Sequence, residues 1–190
     1  DPGDILRQYR TTNNLTAFYN LKIGVGYVEA QNRLSVPEVL ALCENEGVAS
    51  SDPGPCFMGV DQGKDLHVVI GRRRAIIHLG VYRDWHELDR LMNAFNVGRC
   101  VVDALPETRN ARAFAKKFKG KVYLNYYNEH QKGNYAWNDK EMIVSCNRTE
   151  SLDASHREIS DRTISLPKEC DITREFAQHL HNVAKRLEED

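Results

Sequence analysis

The chain has 190 residues, 41% of them hydrophobic, and its 26 Lys and Arg against 27 Asp and Glu leave a formal net charge of -1. That length suits one domain with an appended arm, and the apolar fraction is enough for a real core. The charge balance excludes nucleic-acid binding by bulk charge, so such a partner would have to be met by a local basic patch; no stretch approaches a membrane span.

The five cysteines, Cys43, Cys56, Cys100, Cys146 and Cys170, are odd in number, far apart and without a C-x-x-C pair. They read as reduced core thiols of a cytosolic compartment, not as a disulfide framework or a zinc site. The first residues lack a methionine and the last remain on a helical pattern, so both ends look like cuts in a longer protein.

Residues 1–55 read as a linker or arm. Ile5, Leu6 and Tyr9 suggest a short amphipathic helix, and the glycine-punctuated 21–27 reads as irregular. Ser35 with Glu38 three residues on is a capping box that opens a helix to about Asn45. The small, polar 49–55 (ASSDPGP) is the best linker in the chain.

A core domain is expected over 56–190. The stretch 56–74 (CFMGVDQGKDLHVVIGRRR) reads as two strands joined at 62–65, with Asp61 at the end of the first. An aspartate in a buried-strand pattern is costly unless its charge is compensated, and a divalent cation is one way to do so. Arg72, Arg73 and Arg74 form a turn, and 75–82 is a third strand. Asp84 and Glu87 begin a helix with Leu88, Leu91, Met92 and Phe95 inward, which Gly98 ends. A strand at 99–103 finishes on Asp103. A helix follows with Ala111, Phe114, Ala115 and Phe118 inward, then a strand at 122–126. A β-hairpin is expected around 138–140, then a helix capped by Thr149 or Ser151, a short strand at 162–166, and a last helix from Asp171 with Phe176, Leu180, Val183 and Leu187 on one stripe.

Three antiparallel strands followed by helix, strand, helix, strand, with Asp61 in the first strand and Asp103 ending the fourth, is the ribonuclease-H-like order. The fold class is therefore α/β, a mixed sheet flanked by helices, with an extra β-hairpin and an N-terminal helical arm. In such a sheet the first and fourth strands are neighbours, so their carboxylates meet and can bind one or two divalent ions. Of the other polar residues near Asp61, Gln62 reads as a turn residue, and Lys64 and His67 as structural. His78 is expected on the less buried side of its strand. His130, His156, His179 and His181 show no ligand spacing, His179 and His181 facing apart on a helix.

Residues 18–43, 58–70, 101–107, 147–153 and 164–167 together resemble tailed-phage terminase large subunits, from the inter-domain linker through the C-terminal nuclease. The GVDQG strand and the Phe-Tyr-Asn segment ahead of the core carry most of the likeness. The resemblance implies a metal-dependent endonuclease that cuts concatemeric double-stranded DNA in viral genome packaging, using Mg2+ or Mn2+, two ions in the complete site. It implies an upstream ATPase domain in the same polypeptide, a portal and a small terminase subunit as partners, and the host-cell cytoplasm as location. Asp61 and Asp103 are the expected catalytic and metal-binding residues. The family's third carboxylate is expected in a helix past Asp190, with Asp153, placed in the first turn of its helix, as the substitute within the chain. Arg72, Arg73, Arg74, Lys132 and Lys140 are the expected DNA contacts. Residues 59–65 (GVDQGKD) do not make a P-loop, which needs four residues between its glycines and Ser or Thr after the Lys. Two other readings remain open: an actin- or sugar-kinase-like nucleotide-binding domain, whose first phosphate hairpin carries the same G-x-D-x-G, and a catalytically silent domain that docks DNA or a partner.

Overall fold

A computed structural model describes residues 2–11, 18–23, 33–133 and 135–183. Its centre is a 7-stranded mixed sheet in the order β3-β2-β1-β4-β5-β7-β6. The strands are β1 (Cys56–Gln62), β2 (Leu66–Arg72), β3 (Ala75–Tyr82), β4 (Val97–Asp103), β5 (Val122–Tyr127), β6 (Ala136–Asn138) and β7 (Ile143–Cys146). β1, β4, β5 and β7 run parallel; β2, β3 and β6 are antiparallel to their neighbours. This is the ribonuclease-H-like α/β architecture expected from the element order, with β6–β7 as the extra hairpin.

The helices are α1 (Pro2–Thr11), α2 (Val36–Leu40), α3 (Trp85–Ala94), α4 (Thr108–Lys117), α5 (Arg148–Ser160) and α6 (Asp171–Asn182), with a π-helical turn at Phe18–Ile23. Tyr9 of α1 meets Phe18 ring to ring at 5.7 Å. Most of the expected glycine-rich segment at 21–27, and Leu187, lie outside the described residues.

Strict alternation in β1 sends Cys56, Met58 and Val60 to one face and Phe57, Gly59 and Asp61 to the other. The first face, with Val68 and Ile70 of β2, Cys100 and Val102 of β4 and Leu124 of β5, packs under α3 and α4 through Leu88, Phe95, Ala111 and Phe114. Burying such a set of aliphatic and aromatic side chains contributes roughly 1.5–3 kcal/mol apiece before chain entropy opposes it. A second cluster joins Leu34, Val39 and Leu42 to Ile159, Leu166 and Ala177, so residues 33–43 pack against α5, α6 and the 164–166 stretch.

Both predicted capping boxes form: the Ser35 hydroxyl accepts from Glu38 N–H, and the Asp84 carboxylate accepts from His86 N–H at 2.9 Å while Glu87 accepts from Asp84 N–H. Several boundaries differ. α2 stops at Leu40 because the chain turns out to pair with the later segment, Glu44 N–H donating to the Leu166 carbonyl and Leu166 N–H to the Leu42 carbonyl. The 162–166 stretch is accordingly two isolated bridges, Ser165 with Ala75 and Leu166 with Cys43, rather than a strand. α3 ends at Ala94 with Phe95 as its C-cap, and Asn96 just beyond takes a left-handed φ of 42° that Asn tolerates, so Gly98 lies within β4. Asn147, not Thr149 or Ser151, caps α5, accepting from Glu150 N–H at 3.0 Å.

The 49–55 stretch is a fixed strap. Ala49 N–H donates to the Ile77 carbonyl and Asp52 N–H to the Ala94 carbonyl, and Arg72 reaches both Asp52 carboxylate oxygens at 3.0 and 3.2 Å. Gly54 has φ of 70° and any Cβ there would lie 2.8 Å from the Asn96 carbonyl oxygen, which demands glycine. His78 departs from expectation: it is buried on the core side, with Nδ1 and Nε2 each 2.7 Å from Ala49 O and Tyr82 Oη, and so fastens the strap to β3.

Candidate active site

The carboxylate end of the sheet follows from register. Val60 of β1 pairs in parallel with Val102 of β4, so Asp61 and Asp103 come next on adjacent strands and project from the same, open face. Burial, and then the negative charge of the neighbouring Asp61, push the Asp103 carboxyl above the usual carboxylate range; a hydrogen bond from Asn125 and the charge of Arg148 act the other way. Among the described residues no Lys or Arg is in ion-pair contact with either group.

Asp103 is held in place from three sides. Asn125, its cross-strand neighbour on β5, donates from Nδ2 to Asp103 Oδ1 at 3.2 Å and accepts from the Cys146 thiol at 3.3 Å. Ala104 N–H donates to the Asn125 carbonyl. Gln62, expected to serve the turn, is instead buried and donates from Nε2 to the Asp103 backbone carbonyl, leaving its Oε1 buried without a partner among the described residues.

The two acids lie in a cavity of about 390 Å³ floored by Gly59, Val101, Asn125, Val144 and Cys146 and walled by Tyr127, Tyr135, Trp137 and Ser151. Gly59 keeps the floor open, since a Cβ there would project into empty space. Burial, with Asp103 and Cys146 adding to it, pushes the Tyr127 hydroxyl up to about 12. Next to the cavity, the Arg99 guanidinium lies over the Trp137 ring at 4.6 Å and the Tyr123 ring at 5.3 Å, and Arg148 lies over Tyr127 at 5.7 Å. The sequence reading did not single out these aromatics and cations. The alternation of Tyr123, Asn125 and Tyr127 along β5, in register with Val101 and Asp103, was the signal that placed them on the acid face.

Other expected site residues fall elsewhere. Asp153 is in the second turn of α5, not the first, and is not part of the cavity lining. Arg72, Arg73 and Arg74 sit at the β2–β3 turn. Since Phe57 pairs with Gly71 and Asp61 with His67, that turn is at the opposite end of β1 from the acids, about 15 Å along the strand. It borders a separate shallow cavity with Cys43, Glu44 and Arg162, and Arg72 is already paired with Asp52. Lys140 lies in the β6–β7 turn, off the N-terminal end of β7, whereas Lys132 lies in the connection that leaves the acid end of β5.

A second cavity of about 240 Å³ flanks Asp61 on the other side, where α6 crosses β2 and β3. His67 is directly opposite Asp61 in the antiparallel β1–β2 ladder and shares its face. It meets Glu175 and His179 of α6, the ligand atoms of all three lying within 4.8 Å of one another. The structure thus brings together His67 and His179, which the sequence alone gave no common ligand spacing. The signal was the i, i+4 spacing of Glu175 and His179, which puts both on one helix face.

Among the described residues no helix is long and apolar enough to cross a membrane. No protein-family model and no curated protein matches the chain.

Proposed function

We propose that this chain is a divalent-metal-dependent DNA endonuclease domain of the kind carried by tailed-phage terminase large subunits, acting on double-stranded DNA. The observation that carries the reading is the Asp61–Asp103 pair: two carboxylates on adjacent parallel strands, facing a cavity and, among the described residues, without a Lys or Arg in ion-pair contact with them. Such a pair is costly in the absence of a cation, and an all-oxygen donor set suits Mg2+ or Mn2+. Asp61 and Asp103 would hold the metal, which when bound supplies an activated water and neutralises charge on the leaving oxygen of a phosphodiester.

The remaining residues act on the substrate and on the acids. Asn125 and Gln62 fix Asp103, one through its carboxylate and the other through its carbonyl. Arg148, Arg99 and Lys132 are cations suited to backbone phosphates, and exposed Tyr135 and Trp137 offer flat apolar walls beside them. In this reading the partners are DNA, an ATPase domain upstream in the same polypeptide, a portal and a small terminase subunit.

The test is plasmid cleavage in Mn2+ and in Mg2+. Cleavage by the chain, and its loss in Asp61→Asn and in Asp103→Asn by about 10²–10⁴-fold, is the expected result, since the metal is worth several kcal/mol of transition-state stabilisation. Undiminished cleavage in both variants refutes the reading. ATP binding with no cleavage would instead support a kinase-like nucleotide-binding lobe.

A further inference from the structure

The chemistry on the two sides of Asp61 is different. Asp103 and Asn125 offer oxygens on one side; on the other are two imidazoles and a carboxylate, His67 from β2 and His179 and Glu175 from α6. We propose that His67, Glu175 and His179 form a second cation site, taking a divalent ion of the zinc class.

Three observations converge on it. The first is composition: two nitrogens and one carboxylate oxygen form the donor set of zinc sites that keep an open position, and imidazole selects zinc-class ions over magnesium. The second is placement. The His67 and His179 rings meet edge-on with centroids 4.9 Å apart, and His179 Nε2 is 4.0 Å from Glu175 Oε1. Tetrahedral zinc with bonds of about 2.0–2.1 Å holds its ligands about 3.4 Å apart, so the three atoms have to close by little more than an ångström. Glu175 and His179 are exposed and His67 half-buried, so side-chain rotation suffices. The third is cover. The site opens into a cavity lined by Val69, Leu79 and Phe176, so the ion would have an apolar wall on one side and solvent on the other.

The consequence is a staple. The ligands come from β2 and from α6, with His67 more than 100 residues from Glu175 and His179 in the chain, so a bound ion ties the last described helix to the sheet beside Asp61. The site does not depend on the endonuclease reading, because it excludes Asp103.

The test is zinc titration of metal-stripped protein by competition with a chromophoric chelator, alongside thermal melting and the visible absorption of the cobalt(II) form. One ion per chain is expected, raising the melting temperature, with the intense cobalt bands of a tetrahedral site. His67→Ala, His179→Ala and Glu175→Gln each weaken zinc binding at least tenfold, while Asp103→Asn, which abolishes cleavage, leaves it unchanged. Equal zinc affinity in all three ligand variants overturns the proposal, and so does its loss in Asp103→Asn, which would move the ion to the acid pair. Should a variant fail to fold, imidazole 15N resonances of the unaltered protein decide. Zinc is expected to shift those of His67 and His179 and to leave His86 and His130 in place; unshifted His67 and His179 resonances overturn the site.

Discussion

Asp103→Asn in the absence of metal is predicted to stabilise the fold while destroying the site. Adjacent strands lie about 4.8 Å apart, and two unit charges at that distance repel by about 3.5 kcal/mol at an effective dielectric of 20 and about 0.9 kcal/mol in water. Asp61 is exposed, so the lower end applies, and relief of about 1 kcal/mol is expected. Asn keeps an oxygen that can still accept from Asn125, so little else is lost. For a chain of this size about 1 kcal/mol corresponds to a rise in melting temperature of about 2–4 °C. The pH dependence has a definite sign. Burial and Asp61 raise the folded-state pKa of Asp103, so its contribution to stability is full below the ordinary carboxylate value of about 3.9 and is lost as pH rises through the raised value. The wild type therefore loses stability over that window and the variant does not. Circular-dichroism melts in EDTA should show the variant melting higher at pH 7 and the two converging near pH 4. A variant that melts level with or below the wild type at pH 7, or whose advantage persists unchanged at pH 4, refutes the account of the acid pair.

Added Mn2+ should raise the melting temperature of the wild type, by mass action on the folded state, and should leave Asp103→Asn nearly unmoved; an equal rise in both places the ion elsewhere. Arg99→Ala should weaken duplex DNA binding and reduce its salt slope by about one unit, whereas Arg73→Ala with Arg74→Ala should leave plasmid cleavage unaltered, because the β2–β3 turn is remote from the acids; filter binding across a salt series with matched cleavage assays reads both. Thiol labelling of the native protein should modify Cys43 and Cys170 and spare Cys56, Cys100 and Cys146, which are buried; burial foremost pushes the Cys56 thiol up to about 11, so rapid native labelling of Cys56 would contradict its place in the core.

The element order and the acid pair were legible because they rest on local, periodic signals. Alternation in 56–62 both identifies a strand and assigns Asp61 to the face away from Met58 and Val60, and the spacing of Leu88, Leu91, Met92 and Phe95 marks an inward helical stripe. What was not legible depends on contacts between distant segments. Nothing local to His78 says that its ring will meet the Ala49 carbonyl, or that Arg72 will be taken up by Asp52. The early end of α2 has the same origin: residues 42–44 pair with Leu166, a partner more than 100 residues away. The π-helical turn at Phe18–Ile23 has no sequence signal that we can identify.

The position of Asp61 links these observations. It is the last open-face residue of β1, the strand that pairs antiparallel with β2 on one side and parallel with β4 on the other. On the parallel side its neighbour is an acid at the C-terminal end of β4; on the antiparallel side it is His67, near the start of β2. Reversal of strand direction thus brings side chains of different chemistry to the two flanks of one carboxylate. α6 covers the β2–β3 half of the open face and brings Glu175 and His179 to His67, while the β4–β5–β7 half carries the acid cavity, bordered among the described residues by Tyr135, Trp137 and Ser151. A substitution at Asp61 therefore touches both cavities, whereas Asp103→Asn touches one and His179→Ala the other. Comparing the three in metal binding separates the two sites: an effect of His179→Ala on Mn2+ binding as large as that of Asp103→Asn would mean a single shared centre and would end the division argued from strand direction.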